Sequence, residues 1–218
     1  FIHRRYKAKL AALYFQSWTN TYDSTENLKR IYDLALSCGD FSQFIVSTRP
    51  DCVGEDVADL LAQYITPERE VWVELGLQSA SDETLKRINR GHTLSDYITC
   101  AERLHKRGIK ICTHVIIGLP GEERKDFIKT AEALNQVGSE GVKIHNLHIP
   151  GGTRMAQDYL DGEIVSWSTE RYMNEVQYFL RLLNPGMIVQ RLVCETPAHR
   201  LMAPRHFMDK SLFLRTLN

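Results

Sequence analysis

The sequence predicts an α/β fold built as a partial parallel (β/α) barrel of the TIM type. Three observations lead there. Short apolar runs rich in β-branched residues start near residues 11, 44, 71, 110, 142 and 187. Each is followed by a stretch with helical periodicity, and regular βα alternation gives a parallel sheet with right-handed crossovers. No Gly-rich dinucleotide fingerprint follows any of the runs, which favours closing the sheet toward a barrel over a Rossmann arrangement.

The elements follow in order. Residues 11–18 (AALYFQSW) read as the first strand. Ser24 and Glu26 open a helix that runs to about 37 and stops at Gly39. Residues 44–48 (FIVST) form the second strand, ended by Arg49-Pro50. Val57, Leu60, Leu61 and Tyr64 share one face of a helix over 54–64. Residues 71–77 (VWVELGL) are the third strand, and Ser81 caps a helix with Asp82 and Glu83 in its first turn. A helix over 94–106 stops at Gly108, strand four covers 110–117, and a helix covers 123–137. The fifth strand is read over 142–149, with a short helix at 153–160. Tyr172, Val176, Phe179, Leu180 and Leu183 stripe a helix over 169–183, which Pro185-Gly186 ends. A strand at 187–193 and a helix at 204–217 complete the chain.

Composition excludes several classes. The 218 residues are 43% hydrophobic and 25% charged, an ordinary globular balance and not a disordered or fibrous one. Lys+Arg and Asp+Glu both number 27, so global charge gives no argument for nucleic acid or an anionic membrane. Pairs such as Arg4-Arg5 and Arg205-His206 read as scattered and not as a patch. No apolar run approaches the roughly 18 residues of a membrane span, and the start lacks the apolar segment of a secretion signal. A cytoplasmic setting is the expectation. The five cysteines, Cys38, Cys52, Cys100, Cys112 and Cys194, are odd in number and widely spaced, with no C-x-x-C pair, which argues against disulfides, zinc or a redox pair.

Parallel barrels carry their chemistry at the C-terminal ends of the strands. Here those ends read Gln16-Ser17-Trp18-Thr19-Asn20, Ser47-Thr48-Arg49, Gly76-Leu77-Gln78, His114 through Gly118-Leu119-Pro120-Gly121-Glu122, and His145-Asn146-Leu147-His148. Core packing requires none of these polar groups, so five polar ends in succession point to a ligand pocket. Gly118 and Gly121 let backbone approach a ligand closely, and a flat ring such as a purine suits the Ile116–Gly118 backbone. Gln78 offers an amide and Arg90 a guanidinium to a ribose or carboxylate. His145-x-x-His148 has a helical metal-ligand spacing, but residues three apart on a strand face opposite sides, which leaves a His-metal site unsupported.

Taken together, VSTRPDC, ELGLQSASDETLKRINRGH, HVIIGLPGE and KIHNLHIPGGTRMA resemble the radical S-adenosylmethionine (SAM) superfamily. The resemblance is closest to the Fe–S oxidoreductase branch near the Elongator catalytic subunit and oxygen-independent coproporphyrinogen oxidase. It implies a partial barrel of the radical SAM type that holds SAM beside a [4Fe–4S] cluster. The family's cluster loop, C-x-x-x-C-x-x-C, does not occur here. The first strand read above then corresponds to the family's second, and the chain, which begins with Phe1, is expected to be a fragment lacking the first strand and the cluster cysteines. The implied organisation is a core over 1–160 and a C-terminal extension of helix, strand and helix over 161–218.

By the same resemblance, Gln16, Ser17 and Thr19 stand where the family's glycine-rich motif meets the methionine amino group. Ser47 stands where an acidic contact is common, Gln78 and His114 near the ribose, Arg90 near the methionine carboxylate, and Ile116 and Gly118 along the adenine. The implied activity of the full-length protein is reductive cleavage of SAM to a 5′-deoxyadenosyl radical that abstracts a substrate hydrogen. An electron donor such as flavodoxin or ferredoxin would serve it, and RNA stays open as a substrate because some near relatives modify RNA. An exposed barrel edge would invite pairing with a second copy. Two other readings compete. One is a cluster-free (β/α) barrel lyase or hydrolase using Glu74, His114, His145 and Glu122. The other is a binding module for RNA or protein.

Overall fold

The computed structural model describes residues 7–217. The Arg4-Arg5 pair and the basic start lie outside them. Six strands form one sheet in the order β1 (Ala12–Phe15), β2 (Gln43–Thr48), β3 (Glu70–Gln78), β4 (Lys110–Ile117), β5 (Gly141–Asn146) and β7 (Ile188–Arg191). Their ladders are parallel, as βα alternation requires. Helices α1 (Thr25–Leu36), α2 (Glu55–Ala62), α3 (Asp82–Arg87), α4 (Leu94–His105) and α5 (Arg124–Val137) separate the strands. The remaining elements are α6 (Arg154–Leu160), α7 (Thr169–Leu180) and α8 (Lys210–Leu217), with β6 (Ile149–Pro150) and β8 (Leu201–Ala203) forming a separate antiparallel pair.

Three readings are corrected, each for a local reason. The first strand ends at Phe15 and not at residue 18. Trp18 is left-handed at φ 71°, and Asn20 Nδ2 donates to both Phe15 O and Ser47 O, which turns the chain off the sheet. The fifth strand splits after Asn146, where the Leu147 amide donates to Ile117 O and the chain leaves toward β6. The last helix starts at Lys210, because Asp209 Oδ1 accepts from the amides of Ser211 and Leu212 at 2.9 and 3.2 Å. Ahead of it, β8 pairs with β6.

The chain forms two compact units: one of residues up to Leu77 with His92–Thr113, the other of Gln78–Gly91 with His114 onward. The first is centred on an edge-to-face aromatic cluster of Phe15, Tyr32, Phe44 and Tyr64, with ring centroids 5.1 to 6.0 Å apart. In the same unit Arg103 and Arg107 both pair with Glu55 and tie α4 to α2. The second unit buries Val115, Phe127, Leu134, Val142, Ile144, Val176 and Phe179. In it Arg124 grips Glu175 and joins α5 to α7.

Tyr32 is 1% exposed and donates to Asn20 O at 2.6 Å. Tyr32→Ala is expected to cost about 3–5 kcal/mol in urea unfolding through lost packing. Tyr32→Phe, which loses only the hydrogen bond, is expected to cost about 1 kcal/mol. Equal losses would contradict the packing account.

Candidate functional site

The first unit presents the ends of β1 to β3. Gln16 and Ser17 are exposed, and Thr19 is half-buried with its carbonyl accepting from the Tyr22 amide. Ser47 is buried directly opposite Glu74 in the β2–β3 ladder, and its hydroxyl donates to Glu74 Oε2 at 3.0 Å. Glu74 is only 2% exposed and also accepts from Tyr14 OH at 2.5 Å. A buried carboxylate is costly unless hydrogen-bonded, and these two hydroxyls meet that need. Ser47 is therefore joined to a carboxylate in this unit, with Tyr14 as third member. Nothing in the apolar run around Tyr14 marked it; only its position on the face toward Glu74 does.

The second unit presents the rest. Gln78 is half-buried at the tip of β3 with a left-handed φ of 73°. Arg90 lies just past α3, its amide held by Leu85 O at 2.9 Å. Ile116 is half-buried on β4, and Gly118 is buried with a φ of 101°. A Cβ at Gly118 would stand 3.4 Å from the Trp167 ring, an ordinary contact distance, so it is the left-handed dihedral that favours glycine at this position. The Trp167 ring in turn meets Phe127 edge-on and carries the Arg171 guanidinium 4.2 Å from its centroid. Beside this turn lies a cavity of ≈ 360 Å³, walled by Arg87, Gly118, Pro120, Glu163 and Trp167.

Glu122 closes the turn from beneath. Its buried carboxyl is bonded to the Ser79 hydroxyl, and Ser79 Oγ accepts from the Ser81 amide at 3.0 Å. Burial pushes its pKa up from 4.5 to about 7, against the opposing hydrogen bonds from Ser79 and Thr84. The carboxyl fastens the start of α3 to the turn after β4. As a member of the acid/base set read from sequence, Glu122 is already engaged.

His114 and His145 sit with ring centroids 5.3 Å apart, and Arg191 Nη1 donates to His145 Nε2 at 3.4 Å. Burial, then the positive neighbours His114, Arg191, Lys143 and His148, lower the His145 pKa to about 3. His148 is held differently. Asn146 Oδ1 accepts from the Cys194 amide at 3.0 Å, which turns Asn146 Nδ2 toward His148 Nε2 at 2.8 Å. Nε2 therefore accepts, and Nδ1 donates to Thr196 Oγ1 at 2.6 Å. His145 and His148 thus serve different neighbourhoods. Among the described residues no set of three or more His, Cys, Asp or Glu is gathered as a metal would need. Cys100 and Cys112 are buried, Cys38 is exposed, and Cys52 and Cys194 are half-buried. These cysteines do not fit a [4Fe–4S] cluster.

Arg205 and His206 do not stand alone. With His199 and Arg200 they line a concavity of ≈ 540 Å³ beside Gly151 and Met202, bringing two arginines and two histidines together where the sequence showed only scattered pairs.

Comparison with known proteins places the chain. The radical SAM superfamily profile matches residues 7–134, and the radical SAM C-terminal domain profile matches residues 139–218. The chain belongs to the radical SAM superfamily. An uncharacterised protein of Methanocaldococcus jannaschii is 41% identical over 180 residues, 83% of this chain and 56% of that protein. The YhcC protein of Escherichia coli K12 is 38% identical over 198 residues, 91% of this chain and 64% of that protein. The chain thus spans less than two thirds of these relatives. A threonylcarbamoyladenosine tRNA methylthiotransferase of Chlamydia pneumoniae is 32% identical over 61% of this chain and 32% of its own length.

Among solved structures, the N-terminally truncated Elp3 of Methanocaldococcus infernus superposes with a TM-score of 0.80 at 21% identity, covering 94% of this chain and 52% of that one. E. coli coproporphyrinogen III oxidase, HemN, gives a TM-score of 0.56 at 19% identity, over 64% of this chain and 32% of that one. The radical SAM partial (β/α) barrel expected from the sequence is the fold of this chain. No helix among the described residues is long and apolar enough to cross a membrane.

A group whose folded pKa is raised supplies stability that is fully present below its unfolded value and is lost as pH rises through the folded value. For Glu122 that window runs from 4.5 to about 7. Urea unfolding across this range is expected to show the wild type losing about 3 kcal/mol relative to Glu122→Gln. Parallel profiles for the two proteins would contradict the buried, protonated carboxyl.

Proposed function

We propose that this chain is the SAM-binding core of a radical SAM enzyme. The observation that carries the reading is the match of the superfamily profile to residues 7–134, which span the polar ends of β1 to β4. The donor set has the chemistry SAM needs: amide from Gln78, guanidinium from Arg90, imidazole from His114, apolar surface from Ile116 and open backbone at Gly118. Within the first unit, Gln16, Ser17, Thr19 and Ser47 are proposed separately as methionine contacts, with the Ser47 hydroxyl oriented by Glu74. When bound, a reduced [4Fe–4S] cluster and SAM supply one-electron cleavage to a 5′-deoxyadenosyl radical. This chain's residues bind and orient SAM and keep water away from it. The five cysteines of this chain do not have the spacing of a cluster loop, so the proposal gives these residues the binding of SAM and not the ligation of the cluster.

RNA is the substrate class to test first. A relative at 32% identity acts on tRNA, and the concavity lined by His199, Arg200, Arg205 and His206 suits a phosphate backbone.

The test uses the full-length protein, reconstituted anaerobically with iron and sulfide, reduced, and given SAM. Formation of 5′-deoxyadenosine is expected. Gln78→Ala and Arg90→Ala are each expected to raise the SAM concentration for half-maximal cleavage about tenfold, the effect of roughly 1.4 kcal/mol of lost binding. No cleavage by the cluster-loaded wild type would sink the reading.

A further inference from the structure

Residues Gly118 to Glu122 join β4 to α5, and this turn is soft by composition. Gly118 and Gly121 both stand at positive φ, 101° and 83°, a region that glycine enters freely. Freedom of that kind is lost when a ligand settles against the backbone, and the loss counts against binding. A turn already held in place avoids it. Buried Glu122 fastens one end of the turn through the Ser79 hydroxyl. The Gly118 end is met by a distant part of the chain.

That part is the loop between α6 and α7. The amides of Glu163 and Ile164 both donate to Asp158 O, at 2.9 and 3.3 Å, which folds the loop back on α6. Ile164 packs with buried Ile149, Ala156 and Ala203. At the other end of the loop Ser168 Oγ accepts from the Arg171 amide at 3.2 Å and starts α7. Trp167 stands between these two anchors, and its ring reaches the turn. A Cβ built on Gly118 would meet the indole Cδ2 and Cε3, both at 3.4 Å, and Leu147 Cβ at 3.8 Å. Gly118 is thus flanked by Trp167 and by Leu147, whose amide donates to Ile117 O.

The ring is itself immobilised. Phe127 of α5 meets it edge-on at 6.2 Å, and the Arg171 guanidinium of α7 sits 4.2 Å from its centroid. Ile164, Trp167 and Arg171 line the same cavity as Gly118 and Gly121. Val165, two residues before the indole, is 73% exposed, so burial of the whole loop does not account for where the indole points. The contact also joins the two matched regions, since Gly118 falls in the radical SAM profile and Trp167 in that of the C-terminal domain.

We propose that Trp167 is a positioning residue for SAM: its indole braces the Gly118 turn in the conformation that SAM meets, and it acts through that turn. That the turn meets SAM rests on the reading of this chain as a SAM-binding core. The bracing itself does not.

The experiment uses the full-length, cluster-loaded protein and its Trp167→Ala, Trp167→Leu and Trp167→Phe variants. Two quantities are measured on each besides the rate of 5′-deoxyadenosine formation: hydrogen exchange of the 118–122 amides without SAM, and the Kd of labelled SAM by equilibrium dialysis. In Trp167→Ala these amides are expected to exchange faster. Its Kd is expected to rise roughly tenfold through lost pre-organisation. Its cleavage rate at saturating SAM is expected to stay within about twofold of wild type. Trp167→Phe, which keeps a ring beside Gly118 and Phe127, is expected to hold both exchange and Kd near wild type. Trp167→Leu fills space without a ring and is expected to fall between the two; it carries the test if the alanine variant does not fold. Unchanged exchange of the turn in the folded alanine or leucine variant overturns the bracing. Faster exchange with an unchanged Kd overturns the link to SAM. Equal losses in all three variants would assign Trp167 to general stability and overturn the positioning role. No SAM binding by the wild type overturns the reading of the chain as a SAM core, and the exchange data still decide the bracing.

Discussion

A parallel sheet must satisfy its backbone ladder and bury apolar surface, and together these demands decide where polar groups can stand. The face filled by Val115, Val142 and Ile144 is closed to them. What remains in the second unit is the other face and the strand ends, where His114 and Ile116 on β4, His145 on β5 and Gln78 at the tip of β3 lie; in the first unit Ser47 and Glu74 stand opposite each other on β2 and β3. Period-two alternation makes this placement strict. A one-residue slip of β4 would carry His114 into the core and expose Val115.

Burial then shapes the chemistry of what stands there. Glu74 and Glu122 are both nearly excluded from solvent, and each is held by hydroxyls: Tyr14 and Ser47 for one, Ser79 for the other. Each uses the carboxyl to tie neighbouring segments together, β1 to β2 and β3 in the first unit and the start of α3 to the β4 turn in the second. These carboxyls are thus committed to holding strand ends in place, which gives the lyase or hydrolase reading little to work with.

The alternation of strands and helices was legible in the sequence because each element carries its own periodicity and stop signals. Ser24, Ser81 and Asp209 cap helices through local bonds, and Asp209 gives the last helix a later start than its apolar periodicity suggests. The misread ends depended on distant partners. Nothing local says that Asn20 will bridge Phe15 and Ser47, or that Ile149 will pair with Ala203 far along the chain. The candidate site was legible in the same uneven way. Gly118 announces itself through the turn it occupies, whereas Tyr14 becomes a site candidate only once β1 lies beside β2. That the Trp167 indole packs beside Gly118 is a contact that the motif alone does not reveal.

The account's central claim is that SAM is held by the ends of β3 and β4. Hydrogen exchange of the full-length, cluster-loaded protein, measured with and without SAM, tests it most directly. Slowed exchange of the amides around Gln78 and from His114 to Glu122 is the result the account predicts. Protection confined to other segments, with these amides unchanged at saturating SAM, would contradict it.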